Sequence, residues 1–458
     1  MNAVKKRLKT IFYICAGLLC ACLLYLARFY FSEAKDAAVN PYNPRLALAG
    51  LDVKRGNVVS ADGAVLAENM NAPGERHYPR GRETAHIVGF VRPYPSGAEQ
   101  RYALKLISLD FEIFRRAGAL ITGETPAGHS AVLTIDAALQ NLCYKKLENK
   151  KGAILALEPS TGKILACASA PGFDPNALAE SWDGLNADPD SPFLNRAFNG
   201  LYPPGSLFKI VVATAALRYL EEDDMAYVCT GGEDFGGKSM HCYNNTAHGE
   251  LDLQKAFAVS CNAYFARMAV RIGEQNLTRT AESLLFNASV GFEYGCAESA
   301  FYIPENDMNH LVESAIGQGL TLTTPLHMLT LVSAVANGGH AMKPYVADHF
   351  VTAAGRTVNR AAPKKAYALF SEAEAVLLTE MMVSCVEYGT GAGAAVKGVT
   401  AAGKTGTAEI GAGLSHGWFA GFAPAEDPRI AVVVLLENAG SSTAALPIAK
   451  EIFEFALR

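Results

Sequence analysis

The chain has 458 residues, 50% apolar and 19% charged, which is enough to bury the cores of two to three domains and too apolar for a disordered chain. Forty basic against 45 acidic side chains leave a net charge of −5, and four of the bases (Lys5, Lys6, Arg7, Lys9) stand in the first ten residues. The more acidic remainder offers no basic surface to a phosphate backbone, so nucleic acid is not expected as a partner. Ten cysteines without regular spacing exclude a disulfide-dense scaffold.

Residues 1–10 form a basic tail. An apolar stretch follows over 11–31, broken only by Arg28 and closed by Phe29-Tyr30-Phe31, and it is long enough to cross a bilayer core. Basic residues before it predict a single-pass anchor with a cytoplasmic N-terminus and the rest of the chain outside. A cleaved signal peptide is disfavoured because no convincing A-x-A site follows, and a lipoprotein signal ending at Cys22 fits only loosely. Residues 32–48 read as a linker. Residues 49–129 read as a small, turn-rich, β-rich unit, with strand-like runs at Gly56–Val59 and Ala64–Leu66.

A larger domain is expected over 130–458. It opens with a strand at Ala131–Ile135 and a helix capped by Asp136 that runs to Lys150. Gly152–Leu157 and Ile164–Ser169, joined by Pro159-Ser160-Thr161-Gly162, read as a hairpin. The Ala-rich middle reads as helical. Gly417–Phe422 and Ile430–Leu436 read as paired strands, and a helix over Ala445–Leu457 starts with Pro447 in its first turn. Strands at both ends of a helical middle predict an α/β or α+β domain closed by its own termini.

Three short motifs carry chemistry. Tyr202-Pro203-Pro204-Gly205-Ser206-Leu207-Phe208-Lys209 delivers Ser206 to the start of an apolar helix, with Lys209 almost one turn on. A serine hydroxyl needs a neighbouring base to act as a nucleophile, and a buried lysine of lowered pKa can be that base. Ser-x-x-Lys recurs at Ser32/Lys35 and Ser160/Lys163, but neither sits at a turn-to-helix junction. Ser260 and Asn262 interrupt an apolar segment of helical character, Leu253 to Val270, and need polar partners. Gly403-Lys404-Thr405-Gly406-Thr407 offers a cation, two hydroxyls and backbone N–H groups to a substrate carboxylate and oxyanion. Gly398 to Thr405 also fits the P-loop pattern, but glycines rather than a helix follow it. Cys229 and Cys242 flank a Gly-rich stretch where one disulfide is conceivable. Cys242 also lies near His241 and His248, but without CxxC or HxxxH spacing no metal is expected.

Taken in this order, Ser206-x-x-Lys209, Ser260-x-Asn262 and Lys404-Thr405-Gly406, 54 and 144 residues apart, resemble the three signatures of serine penicillin-recognising enzymes. Arg55-Gly56-Asn57-Val58-Val59, Leu133-Thr134-Ile135-Asp136, Glu158-Pro159-Ser160-Thr161-Gly162 and Gly317-Gln318-Gly319 extend the resemblance to class B penicillin-binding proteins over most of the chain beyond about residue 50. Ser60-Ala61-Asp62-Gly63 departs from that family by lacking its Asp-Arg pairing, and the N-terminal unit is short.

The resemblance implies an α+β transpeptidase fold, an antiparallel sheet flanked by helices, on a short N-terminal pedestal with one transmembrane helix. It implies Ser206, Lys209 and Ser260 as catalytic residues, Asn262, Lys404, Thr405, Gly406 and Thr407 as substrate-binding residues, and no cofactor. The expected substrates are peptidoglycan stem peptides ending in D-Ala-D-Ala, with β-lactams as covalent inhibitors. The expected partner is a membrane glycosyltransferase of the shape, elongation, division and sporulation group. The same residues would also serve a D,D-carboxypeptidase, a β-lactamase, a β-lactam sensor or a non-catalytic scaffold for a cell-wall synthase. The intact motifs argue against the scaffold, and the short cytoplasmic tail argues against the sensor.

Overall fold

The computed structural model describes residues 2–32, 54–70, 75–107, 127–411 and 413–458. The linker expected over 33–48 lies outside them. The first element is a helix, Asn2–Ser32, whose segment Lys5–Phe29 contains an 18-residue apolar run with a mean hydropathy of 2.2, none of it buried. At 1.5 Å per residue its 25 residues span about 37 Å, more than the ~30 Å hydrocarbon core of a bilayer.

Beyond it, helix α1 (Ala137–Lys146) starts at Asp136, whose carboxylate accepts from Leu139 N at 2.8 Å. The hairpin β1 (Gly152–Leu157) and β2 (Ile164–Ala170) follows. The helical middle includes α2 (Lys209–Tyr219), α3 (Leu253–Ala258), α4 (Asn262–Ile272), α5 (Pro325–Ala336) and α6 (Glu372–Glu387). Strands β3 (Ala402–Glu409), β4 (Ser415–Ala423) and β5 (Ile430–Leu436) and helix α7 (Leu446–Ala456) complete the chain.

The five strands form one antiparallel sheet in the order β3-β4-β5-β1-β2. The domain is closed by its own ends, as expected: β5 pairs with β1 from Ala431 opposite Leu157 to Leu436 opposite Gly152. Every residue of β5 is buried. Ala431, Val433 and Leu435 join the core that contains α5, while Ile430, Val432, Val434 and Leu436 pack with Ile448, Ile452 and Phe453 of α7. Because both faces are covered, the strand is an unbroken apolar run rather than an alternating one.

A second, six-stranded sheet joins the N-terminal unit to the larger domain. Its order is Thr357–Val358, Ala347–Val351, Ser130–Leu133, Val58–Val59, Val65–Asn69, Arg76–His77. Ala131 is flanked by Val58, in parallel, and by Phe350, antiparallel. Beside this sheet lies a buried ion triad. Arg55 Nε and Arg76 Nε donate to the two oxygens of Glu99 at 2.6 and 2.7 Å, and Arg76 Nη2 donates to Gly56 O at 2.7 Å. Burial opposes ionisation of Glu99, but the two guanidiniums outweigh it and hold the carboxyl below its ordinary range. This is the local reason for Arg55, while Gly56 is needed because a Cβ there would meet His129 O at 2.0 Å. Where the family pairing is missing, Asp62 accepts from Ala137 N at 3.2 Å and so ties the turn to α1.

Candidate active site

Ser206 lies in a 3-10 turn, Gly205–Phe208, that runs directly into α2. The Pro203-Pro204-Gly205 turn holds it against the edge strand β3. Gly205 has φ +54°, and a Cβ there would meet Thr407 O at 2.4 Å. On the facing strand, a Cβ on Gly406 would meet Pro204 O at 2.7 Å. Glycine at both positions lets two backbones touch. Trp418 Nε1 donates to Pro203 O at 3.1 Å, and Gly205 N donates to Gly317 O at 3.0 Å.

The Ser260–Asn262 corner differs from the single helix expected over Leu253 to Val270. Two helices, α3 and α4, meet there at a sharp break. Ser260 N donates to Phe257 O and Cys261 N to Ala256 O, the bonding of a Schellman ending, with Ser260 in the left-handed position at φ +56°. That position favours glycine, and a side chain there costs about 1–2 kcal/mol. What the strain secures is a hydroxyl aimed at two amines. Lys404 Nζ donates to Ser260 Oγ at 2.9 Å and Lys209 Nζ donates to it at 3.1 Å. Lys209 Nζ also donates to Ser260 O and to Asn262 Oδ1, both at 2.8 Å. Asn262 Nδ2 in turn donates to His241 O at 3.0 Å.

Both lysines are fully buried, at 0% exposure. Among the described residues neither has an ion-pair partner; their surroundings are hydroxyl, amide and carbonyl oxygens and the rings of Phe265 and Phe257. Burial, reinforced by the positive charge of Lys404, drives the Lys209 pKa well below the ordinary lysine range. Burial lowers that of Lys404 as well. The Ser206 hydroxyl has no hydrogen-bond partner among the described residues.

The other expected residues lie beside the Ser206 turn and the Ser260 corner. Lys404, Thr405, Gly406 and Thr407 lie on β3, the edge strand of the sheet. An edge leaves alternate N–H and C=O groups unpaired and open to an added strand. Lys404 and Thr405 are thus part of a strand, and no helix N-terminus follows Thr405, which disposes of the P-loop pattern. Thr407 Oγ1 accepts from Ser442 N at 3.2 Å.

Two contributors were not singled out as site residues from sequence. Thr390 Oγ1 lies 2.6 Å from Thr405 Oγ1. The Gln318 amide, oriented to satisfy both bonds, donates to Glu409 O at 3.2 Å and accepts from Glu409 N at 2.9 Å, so Gly317-Gln318-Gly319 tethers the end of β3. Gly317-Gln318-Gly319 was a visible signal; Thr390 had none.

Comparison with known proteins agrees with this geometry. Residues 152–456 match the penicillin binding protein transpeptidase domain. The chain is 33% identical to the peptidoglycan D,D-transpeptidase PbpA of Mycolicibacterium smegmatis over 93% of each chain. It is 30% identical to the peptidoglycan D,D-transpeptidase MrdA of Acinetobacter baumannii over 83% of this chain and 66% of that one. Penicillin-binding protein A from M. tuberculosis, solved as an imipenem acyl-enzyme complex, superposes with a TM-score of 0.83 at 31% identity, over 90% of this chain and all of that one. The architecture, the three motifs and these likenesses converge: the chain belongs to the penicillin-binding protein transpeptidase family, in its class B branch.

Proposed function

We propose that the chain is a membrane-anchored peptidoglycan D,D-transpeptidase working through an acyl-enzyme on Ser206. The observation that carries this reading is the Lys209 amine: fully buried, hydrogen-bonded only to uncharged oxygens, and one turn after a serine with no hydrogen-bond partner. A lysine kept neutral in this way can take the Ser206 proton at neutral pH. Ser206 Oγ then bonds to the carbonyl carbon of the penultimate D-Ala of a stem peptide. Backbone N–H groups of Ser206 and Thr407 stabilise the oxyanion. As the tetrahedral adduct collapses, the C–N bond to the terminal D-Ala breaks. The proton held at Lys209 passes through Ser260, which touches both amines, to the leaving nitrogen. Asn262 binds the donor backbone, and Lys404, Thr405 and Thr407 hold the terminal carboxylate. The donor strand lies along the free edge of β3, with Gly406 keeping that edge close to Ser206. The amine of a second stem peptide then attacks the ester carbonyl and Lys209 takes its proton; as the bond from that carbon to Ser206 Oγ breaks, the proton passes to Oγ, which regenerates Ser206 and neutral Lys209 with the cross-link formed.

A β-lactam presents the same carbonyl and carboxylate, and its ring amide breaks in the first step. The N-terminal helix serves as the anchor, with residues 1–10 cytoplasmic and the catalytic domain, 130–458, outside. The unit over 49–129 acts as a pedestal that meets a membrane glycosyltransferase of the shape, elongation, division and sporulation group. The test is covalent labelling by a fluorescent penicillin. Wild type is expected to hold the label for many minutes and Ser206→Ala to take none; a well-folded wild type that takes no label would overturn the catalytic reading.

A further inference from the structure

A cavity of about 790 Å³ lies where the N-terminal unit meets the larger domain, and none of the expected site residues lines it. That volume falls within the ~300–1,000 Å³ of sites that enclose small organic ligands. Part of the lining is a cluster of rings. Trp182, in the helix Leu178–Ala187, has its ring centre 5.0 Å from that of Phe193 and 6.1 Å from that of Phe90. Buried Phe173 braces the group, 4.9 Å from Phe193 and 5.6 Å from Phe90. Phe90 belongs to the N-terminal unit and the other three rings to the larger domain, so the cluster exists only where the two meet. His86 is fixed beside it: Nε2 donates to Pro192 O at 2.8 Å, and burial lowers its pKa to about 4, which keeps the ring neutral. The rings are thus held in place before any ligand arrives, which lowers the cost of binding.

Polar groups complete the lining. Ser96 Oγ, the Asn199 amide, Lys343 Nζ and Trp182 Nε1 have no hydrogen-bond partner among the described residues. A smaller cavity of about 260 Å³ meets the first at Asn199 and reaches Tyr202, four residues before Ser206. These features select a ligand. A pyranose has a face of C–H groups that packs on an aromatic ring and a rim of hydroxyl and acetamido groups that needs donors and acceptors beside it. An acyl chain would leave the free amide and amine unsatisfied, and a phosphate would meet Glu293 beside Arg101 and Lys343.

We propose that this cavity binds the glycan strand of peptidoglycan, with an N-acetyl amino sugar packed on Trp182 and its polar rim met by Asn199 and Lys343. The proposal rests on the reading of peptidoglycan as substrate and gives the chain a second hold on it. Asn199 stands seven residues before Ser206, which limits their separation to ~25 Å. A strand held there raises the local concentration of stem peptides at the serine without touching the reaction.

The chain has only two tryptophans, and Trp418 is fully buried, so acrylamide quenching of the full chain in detergent reports on Trp182. The probe is a peptide-free oligosaccharide of alternating N-acetylglucosamine and N-acetylmuramic acid. It is expected to protect Trp182 in wild type and equally in Ser206→Ala, whereas a free pentapeptide ending in D-Ala-D-Ala gives no protection. In titration calorimetry, Trp182→Ala should bind the oligosaccharide about tenfold more weakly or worse, the scale of losing an aromatic anchor. Asn199→Ala and Lys343→Ala, both at exposed positions, should weaken it several-fold, and Tyr219→Ala, an exposed ring elsewhere, should match wild type. No protection of Trp182 by the oligosaccharide, or undiminished affinity in all three folded cavity variants, would overturn the proposal. Penicillin labelling keeps the two readings apart. A wild type that takes the label but binds no glycan defeats this inference alone, and one that binds glycan but takes no label defeats the acyl-transfer reading alone.

Discussion

Two buried polar networks in this molecule solve opposite problems. Glu99 is withdrawn from water between Arg55 and Arg76, and its oxygens are taken by guanidiniums on both sides. Lys209 and Lys404 are equally withdrawn but face only neutral oxygens and each other's charge. The first network keeps its charge and fixes a shape. The second discourages charge and so suits Lys209 to the role of base proposed for it. Burial is the same in both, and the presence or absence of a counter-charge decides whether it yields rigidity or reactivity.

The comparison can be broken from either side. Lys209→Ala removes the base, and we expect penicillin acylation to slow roughly a hundred- to ten-thousand-fold, read by stopped-flow labelling. Its melting temperature should hold or rise, because an uncompensated buried amine has been removed; a large fall would mean that Lys209 is structural. Glu99→Gln should do the reverse, costing roughly 3–5 kcal/mol in urea unfolding by leaving two arginines uncompensated. The fraction still folded should label at a rate close to wild type.

pH separates the two kinds of burial further. His327 is buried, with Nε2 2.7 Å from Leu284 O, and burial lowers its pKa to about 4. A group whose pKa is lower folded than unfolded adds stability above the unfolded value. Roughly 3 kcal/mol should therefore be lost as pH falls from about 6.5 toward 4, and His327→Gln should flatten that slope in urea midpoints. Acylation should follow another group: it should rise with pH through the lowered pKa of Lys209 and level off below the ordinary lysine range. A rising limb at the usual value near ~10.4 would contradict the neutral-base reading. The smallest effect is expected from Thr390→Val, which strips Thr405 of its hydroxyl partner. It should cost about 1 kcal/mol of stability and slow acylation a few-fold.

What could be read in advance follows from range along the chain. The Asp136 cap, the β1–β2 hairpin, the apolar run of β5 and the Pro203-Pro204-Gly205 signal before Ser206 are each written in residues a few positions apart, and each is visible in the sequence. The break at Ser260 was not, because the left-handed position it occupies is normally marked by glycine, and a serine inside an apolar helical pattern gives no such signal. Glu99 looks like an ordinary surface acid of a short helix; its partners are 23 and 44 residues away. Thr390 reaches Thr405 only once β3 has been placed beside α6. The nearness of Cys261 to Cys229, Cys242 and His248 follows the same rule: the other three lie within one stretch of sequence, and Cys261 joins them only through the fold.

The order of the catalytic sheet has a consequence for how the chain comes to life. A polypeptide leaves the ribosome N-terminus first, so β1 and β2 appear long before the strands that cover them. Until β5 emerges, the exposed edge of β1 is a row of unpaired hydrogen-bonding groups, the kind of surface that recruits wrong partners. Contacts so distant in sequence also close slowly. The turn bearing Ser206 rests on Thr407 and on the strand carrying Trp418, both made near the end of synthesis. Ser206, the proposed nucleophile, is synthesised early and seated late, so we expect an incomplete chain not to be acylated, and a penicillin label on nascent protein would time the last step of its folding.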